Sequence, residues 1–365
     1  MKILYITNGV AGSGGLERVL SIKASYLAEK LGYEVHIITL NEQNLSVFFE
    51  FSTKINFHNI QVSGNFLHYI KDYMTGINKI VATINPNVIS VCDDGLKAFF
   101  LPIIIQNKTP IVYERHVSKN IFVGTNKSSP IQNIRIQMLF RLMDFLASKF
   151  TKFVVLTNDN LQEWNIKNIE VIANPLTFYP EKVSTLQNKT VIAVGKHCYQ
   201  KSYDRLLESW QIVQKKNPDW KLNIYGKIDE SVGLKSLAKK LNIDKSVNFY
   251  PAEKNIQEKY LDSSIFVLSS RFEGFGMVLI EAMACGLPCV SFDCPCGPKD
   301  IVENNVDGFL IENGDIQSFA EKINYLIENE NIRKQFGAKS RENVIRFLPE
   351  TILKKWDELF KKILR

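Results

Sequence analysis

Two kinds of apolar pattern alternate along the chain. Short continuous runs read as buried strands of a parallel sheet: Ile3–Thr7, Val35–Leu40, Phe57–Ile60, Val88–Cys92, Ile111–Tyr113, Phe153–Leu156 and a short run through Val171. Between them, apolar residues return every three or four positions, which predicts helices over Leu16–Leu31, Phe66–Ile84, Gly95–Gln106 and Ile131–Phe150. Asn174-Pro175 breaks the pattern, and a polar stretch from Thr177 to Lys189 follows. The alternation then restarts. Strands are expected at Thr190–Val194, Trp220–Tyr225, Ile265–Ser269 and Cys289–Phe292, with Val247–Tyr250 starting a loop and Asn305–Gly308 a turn before Phe309–Ile311, and helices at Tyr203–Lys216, Met277–Ala284, Asp315–Leu326, Asn331–Arg346 and Glu350–Arg365. Repeated strand–helix units mean an α/β protein with parallel sheets. Two series of them predict two Rossmann-like domains, 1–174 and 175–345, followed by a terminal helix, 346–365.

The densest chemistry lies between Ser269 and Phe292, a strand, a glycine-bearing loop, a helix and a strand. Gly274 and Gly276 let backbone approach a ligand closely. The helix that starts at Met277 turns its free N–H groups and positive dipole end toward the loop, so phosphate is the expected guest. Glu273 and Glu281, with seven residues between them, are out of place beside a phosphate unless each accepts hydrogen bonds from sugar hydroxyls flanking a diphosphate. Taken singly, each would be an ordinary solvated side chain.

Other strand ends add candidates. Asn8–Gly15 carries four glycines after the first strand, spaced G-x-x-G-x-G-G; this misses the G-x-G-x-x-G of a nicotinamide site. Asp93-Asp94 reads as a helix cap, and no metal is assigned. His116 follows the strand Ile111–Tyr113, where open α/β sheets place ligands, with Glu114 a second candidate in the same loop. Gly195-Lys196 and Gln200-Lys201 bring two cations to the strand–loop–helix junction of the second half.

Composition narrows the class. The chain has 365 residues, 45% of them hydrophobic, enough for two ordinary domains. A formal charge of +7 suits anionic small molecules or an anionic membrane as well as it suits nucleic acid, and no nucleic-acid partner is expected. Four of the six cysteines crowd between Cys285 and Cys296 without the spacing of a zinc or redox motif, so free thiols in a reducing compartment are expected. The N-terminal apolar run is too short for a signal peptide and no run spans a membrane, which predicts a cytoplasmic protein. The helix Ile131–Phe150 is amphipathic and basic. Arg135, Arg141, Lys149 and Lys152 line it, with Lys119 and Lys127 upstream, and it reads either as a core helix or as a surface for anionic lipid or a lipid diphosphate acceptor on the inner face of the membrane.

Glu273-Gly-Phe-Gly followed by Glu281-Ala-Met-Ala-Cys-Gly-Leu-Pro resembles the E-x7-E signature of the retaining family 4 glycosyltransferases, among them transferases of bacterial surface polysaccharides. Gly195-Lys196…Gln200-Lys201-Ser202 is similar to that family's G-R…K-G element, with Lys for Arg and Ser for Gly. The resemblance spans nearly the whole chain. It implies the GT-B fold, two Rossmann-like domains with a donor/acceptor cleft between them and a last helix that returns to the first domain. It implies a nucleotide-sugar co-substrate, here a UDP-sugar, held by Lys196, Lys201, Glu273, Gly274, Phe275, Gly276, Met277, Val278 and Glu281, with Gly14 and Gly15 facing the phosphates and Glu17 following. Glu273, Lys196, Lys201 and His116 are the implied catalytic residues. The acceptor would be a hydroxyl of a glycan or lipid-linked saccharide, and no further cofactor is implied. A sugar-nucleotide isomerase and a non-catalytic nucleotide-sugar binding protein stay open as alternatives.

Overall fold

Thirteen strands form two separate parallel sheets in the computed structural model, which describes residues 1–12, 14–42, 47–119 and 130–365, without the side chains of 130 and 131. The chain divides into one unit of Met1–Thr177 with Pro349–Arg365 and a second of Phe178–Leu348.

The first unit runs β1 (Lys2–Thr7), α1 (Gly15–Glu29), β2 (Glu34–Leu40), β3 (Asn56–Ile60), α2 (Phe66–Ile84), β4 (Val88–Cys92), a 3-10 turn (Leu96–Phe100), α3 (Leu101–Ile104), β5 (Ile111–Glu114), α4 (Pro130–Ala147), β6 (Lys152–Val155), α5 (Asn158–Gln162) and β7 (Ile169–Val171). Its sheet order is β3-β2-β1-β4-β5-β6-β7. The order reverses between β1 and β4, where Ile3 pairs with both Val35 and Val88, and such a switch point opens a ligand crevice at the strands' C-terminal ends. Strand alternation sends Leu4, Ile6, Ile89, Val91, Tyr113 and Phe153 to one face, into a core shared with α2, the 3-10 turn, α3 and α4. One helix over Gly95–Gln106 is not what forms. The segment splits, because Pro102 cannot donate a helical hydrogen bond and restarts the chain at the head of α3.

The second unit runs β8 (Thr190–Val194), α6 (Tyr203–Lys216), β9 (Lys221–Tyr225), α7 (Leu234–Lys240), β10 (Val247–Tyr250), α8 (Ile256–Leu261), β11 (Ile265–Leu268), α9 (Met277–Ala284), β12 (Cys289–Asp293), α10 (Pro298–Ile301), β13 (Gly308–Glu312), α11 (Ile316–Glu328) and α12 (Glu330–Asn343). The order β10-β9-β8-β11-β12-β13 has the same switch, between β8 and β11. Val191, Leu222, Val267 and Phe292 meet Trp210 of α6 and Phe319 of α11 in its core.

The terminal helix α13 (Pro349–Ile363) belongs to the first unit and packs beside α1. Its stripe of Leu353, Trp356 and Phe360 is buried, and Tyr33 hydrogen-bonds to Asp357.

Candidate active site

The switch point of the second unit brings the predicted Lys201 to Glu273 beside the head of α9. β8 ends at Val194, Gly195-Lys196 follow it, and the next 3-10 turn, Tyr199–Lys201, carries Lys201 back toward the loop after β11. There the Lys201 ammonium lies 2.7 Å from Oε1 of Glu273, which also accepts from the Ser270 hydroxyl at 2.6 Å. Glu273 is 5% exposed, a burial that carboxylates tolerate only when partnered. Its N–H donates to the Pro295 carbonyl, so the segment Cys294–Gly297 braces the acid loop from behind.

Three further contacts lace the two loops together. The Arg271 N–H donates to the Gln200 carbonyl, the Gln200 amide donates to the Phe272 carbonyl, and Ser269 donates to the Lys201 carbonyl. Arg271 then grips both oxygens of Asp204 at 3.1 and 2.6 Å while stacking 4.1 Å from the Tyr199 ring. Planar two-point pairing fixes an angle as well as a distance. Lys201 is therefore placed by its neighbours on both sides.

Gly276 starts α9 with φ +104, a conformation that side-chain-bearing residues resist, and aims the first turn's N–H groups at the loop. Phe275 is buried edge-to-face on Phe347, and Gly274, Met277 and Val278 are half-buried. Glu281, in the second turn of α9, is 1% exposed and accepts from the Tyr260 hydroxyl at 3.3 Å. Burial, and then the nearby Glu281 carboxylate, pushes the Cys285 thiol up to about 12. Burial, and then Glu273, likewise pushes the Cys294 thiol up. Neither is a thiolate nucleophile near neutral pH. Lys196 is exposed at the strand end.

The first unit has its own polar cluster at the ends of β4 and β5. Glu114 is wholly buried, accepts from Ser90 at 2.5 Å and is ion-paired with Lys23 of α1. The Lys23 ammonium in turn sits 3.5 Å over the Trp356 ring of α13. Burial pushes the Glu114 carboxyl up, but Lys23 and then His116 outweigh it and hold the group down to about 2. His116 lies with Nε2 3.5 Å from Glu114 and its backbone N–H on Asp94, while Nδ1 is buried with no hydrogen-bond partner among the described residues. Cys92, Glu114 and His116 place ligand atoms within 4.8 Å of one another, a spacing that a cation could bridge. The Lys23 ammonium already occupies the cation's electrostatic role against that carboxylate, so a metal would have to displace a buried ion pair.

A chain with 35% identity over 97% of this one and 98% of its own length is an uncharacterised glycosyltransferase from Haemophilus influenzae. This chain belongs to the glycosyltransferases. The model of the glycosyl transferases group 1 family matches residues 178–343. The amylovoran biosynthesis glycosyltransferase AmsD of Erwinia amylovora is 29% identical over 98% of the chain and 99% of its own. In fold, a variant of TarM from S. aureus, in a structure with fondaparinux, α-GlcNAc-glycerol and UDP, superposes with a TM-score of 0.81 at 17% identity, covering 98% of this chain and 99% of TarM. The two Rossmann-like units of this glycosyltransferase are thus those of the GT-B fold.

The glycosyltransferase departs from the sequence reading at its basic helix, while the predicted glycines stand at the head of α1. Gly14 caps α1 in an extended conformation, where an added Cβ would meet the Glu17 carboxylate at 2.6 Å, whereas Gly15 borders open space. Lys152 does not line the basic helix. It opens β6 and pairs with Glu170 at 3.6 Å, because α4 ends at Ala147. Arg135, Arg141 and Lys149 are exposed. Lys119 is buried against Asp144, and Lys127 lies outside the described residues. Sequence reading also missed Lys23, Ser270 and the Arg271–Asp204 clamp. For Lys23 a signal existed: it occupies a core-facing position of α1 beside Leu20, Ala24 and Leu27. For Ser270 and Asp204 there was none, since their partners are 3 and 67 residues away across a loop that only folding closes.

Proposed function

We propose that this glycosyltransferase moves a sugar from a UDP-sugar to a hydroxyl of a glycan or lipid-linked saccharide, with retention at the anomeric carbon, in the assembly of bacterial surface polysaccharide or glycoconjugate. The observation that carries the reading is the Lys201–Glu273–Ser270 cluster at the head of α9. It sets a cation, a carboxylate and a helix N-terminus side by side, as a sugar diphosphate requires. The UDP in the TarM structure and the amylovoran biosynthesis named for AmsD agree with it.

In the reaction the bond between the anomeric carbon and the diphosphate oxygen breaks. The acceptor hydroxyl oxygen bonds to the same face of that carbon, and its proton passes to the departing phosphate. Negative charge grows on the leaving oxygen, where Lys201, Lys196 and the α9 dipole are assigned to meet it. Glu273 is assigned the sugar hydroxyls, Glu281 the ribose, Gly14 and Gly15 the phosphates, and His116 a hydroxyl contact through Nδ1. Proton and carbon NMR of the product tests the proposal. An α-linked product from an α-linked UDP-sugar, with UDP released only when acceptor is present, is expected. An inverted linkage removes retention, and an altered sugar still attached to UDP without acceptor replaces transfer by isomerisation.

A further inference from the structure

The polar cluster at the ends of β4 and β5 has more members than one ion pair needs. The Glu114 carboxylate is met from three directions. Ser90 donates to Oε1 at 2.5 Å, Lys23 of α1 is ion-paired with Oε2, and Nε2 of His116 faces that same oxygen at 3.5 Å. Among the described residues the Lys23 ammonium meets no second carboxylate; its other neighbour is the Trp356 ring, 3.5 Å away. One negative charge is thus matched by one fixed positive charge, with 1% and 2% of their side chains exposed.

This balance settles the charge of His116. A second cation against Glu114 would be a buried charge without a counter-ion, which costs far more than a neutral ring. The surrounding groups supply no counter-ion. Cys92 has Sγ within 4.8 Å of a Glu114 oxygen and a His116 nitrogen, but burial, and then the Glu114 carboxylate, pushes its thiol up and keeps it protonated. The Asp94 carboxylate is engaged by the His116 backbone N–H at 3.1 Å and by Arg115 at 3.4 Å.

A neutral imidazole carries one proton, and its two nitrogens have opposite surroundings. Nε2 looks at a carboxylate oxygen, which attracts an N–H and repels a lone pair. Nδ1 is buried with no hydrogen-bond partner among the described residues, and a proton there would be a buried donor with nothing to donate to. Both effects put the proton on Nε2 and leave Nδ1 a bare acceptor. The ring, 7% exposed, is walled in at that orientation.

We infer that Glu114 and Lys23 are positioning residues for His116: Glu114 draws the proton to Nε2, Lys23 keeps the ring neutral, and Nδ1 is thereby set to accept from a ligand hydroxyl and to repel a phosphate oxygen. The tautomer follows from the cluster alone. That the hydroxyl belongs to the transferred sugar rests on the glycosyl-transfer reading.

Nitrogen-15 NMR of the full chain labelled at histidine, with chelator present, reads the tautomer directly, and His116→Asn identifies the resonances. At about pH 7.5, above the ordinary histidine range, a pyrrole-like Nε2 and a pyridine-like Nδ1 are expected. This measurement needs no variant of the cluster, so folding does not enter. Lys23→Met removes the fixed cation. Glu114 should then draw a second proton onto His116, making both nitrogens pyrrole-like, and kcat/KM for the UDP-sugar should fall by about tenfold as the acceptor is lost. Lys23→Met with Glu114→Leu leaves neither charge nor acceptor. Its ring should be neutral with both tautomers populated, and most of the lost activity should return. A wild-type His116 that carries its proton on Nδ1, or on both nitrogens, overturns the inference, and so does a pure Nε2–H tautomer in the double variant. The transfer reading fails separately, if wild-type protein releases no UDP in the presence of acceptor.

Discussion

The ammonium of Lys201 and the carboxylate of Glu273 are joined at 2.7 Å across 72 residues of chain, with 17% and 7% of their side chains exposed. Their proposed partners in the donor differ, phosphate for one and sugar for the other, yet the protein holds them as a pair. Removing Lys201 would leave Glu273 with Ser270 and little water. Lys201→Ala should therefore destabilise the second unit by about 3 kcal/mol, the scale for breaking a buried pair. It should also lower kcat/KM by on the order of a hundredfold or more, as loss of a preorganised cation does. Chemical denaturation and steady-state kinetics measure the two effects. Loss of stability with kcat/KM unchanged would confine Lys201 to a structural role.

Glu273 and Glu281 are both buried, but they should separate kinetically. Glu281 is assigned a ribose contact made equally in ground and transition states, so Glu281→Gln should raise the donor KM by about tenfold and leave kcat near wild type. Glu273 is assigned to the sugar where bonding changes, so Glu273→Gln should lower kcat itself. Initial rates over a range of UDP-sugar concentrations distinguish these. Equal effects on KM from both substitutions would contradict the division of roles.

Gly297 stands behind the acid loop with φ +144, and a Cβ there would lie 1.9 Å from the Phe275 carbonyl oxygen. Neither the dihedral nor the space admits a side chain. Gly297→Ala must push back the backbone that carries Glu273 and the head of α9. The expected result is a loss of stability of at least about 2 kcal/mol and weakened protection by UDP in thermal melts. Full UDP protection in this variant would show that the loop's placement does not matter to nucleotide binding.

The strands were the most legible part of the chain. A buried parallel strand has to be apolar on both faces, so Val88–Cys92 and Thr190–Val194 stand out at their observed bounds. Short polar helices such as α7 and α8 went unread, because few buried residues mark them: Leu234 and Ala238 in one, Ile256 and Tyr260 in the other. At the site, Glu273, Glu281, Lys196 and Lys201 were visible as residue types beside glycines. Their burial and pairing were not. Nothing local to Glu273 says that its partner is Lys201, and an isolated Glu is normally solvated. The exposed stripe of α4 was hidden for the opposite reason. Periodicity reports that Ile134, Met138, Leu142 and Phe145 share a face, but says nothing about whether the fold covers it.

The Lys23–Glu114 pair makes a prediction whose sign can be worked out. Glu114 is held at about 2, below its ordinary value of 4.5. A depressed carboxyl contributes stability that is fully present above 4.5 and is lost as pH falls toward 2. The first unit should therefore weaken through that window, when followed by urea unfolding with amide exchange in α1 and α13 as the probe. Lys23→Met removes the largest charge that lowers Glu114 and leaves His116 alone against burial, which raises it. In that variant the slope attributable to Glu114 should flatten, because the depression of its carboxyl shrinks. At pH 7 the variant should be less stable by about 3 kcal/mol or more. Adding Glu114→Gln should recover much of that loss, because the uncompensated charge is gone. The difference between wild type and Lys23→Met, taken at each pH, isolates this pair from the other carboxylates. Parallel pH dependences would mean that Lys23 does not set the charge state of Glu114, and that Trp356 and α13 hold it for packing alone.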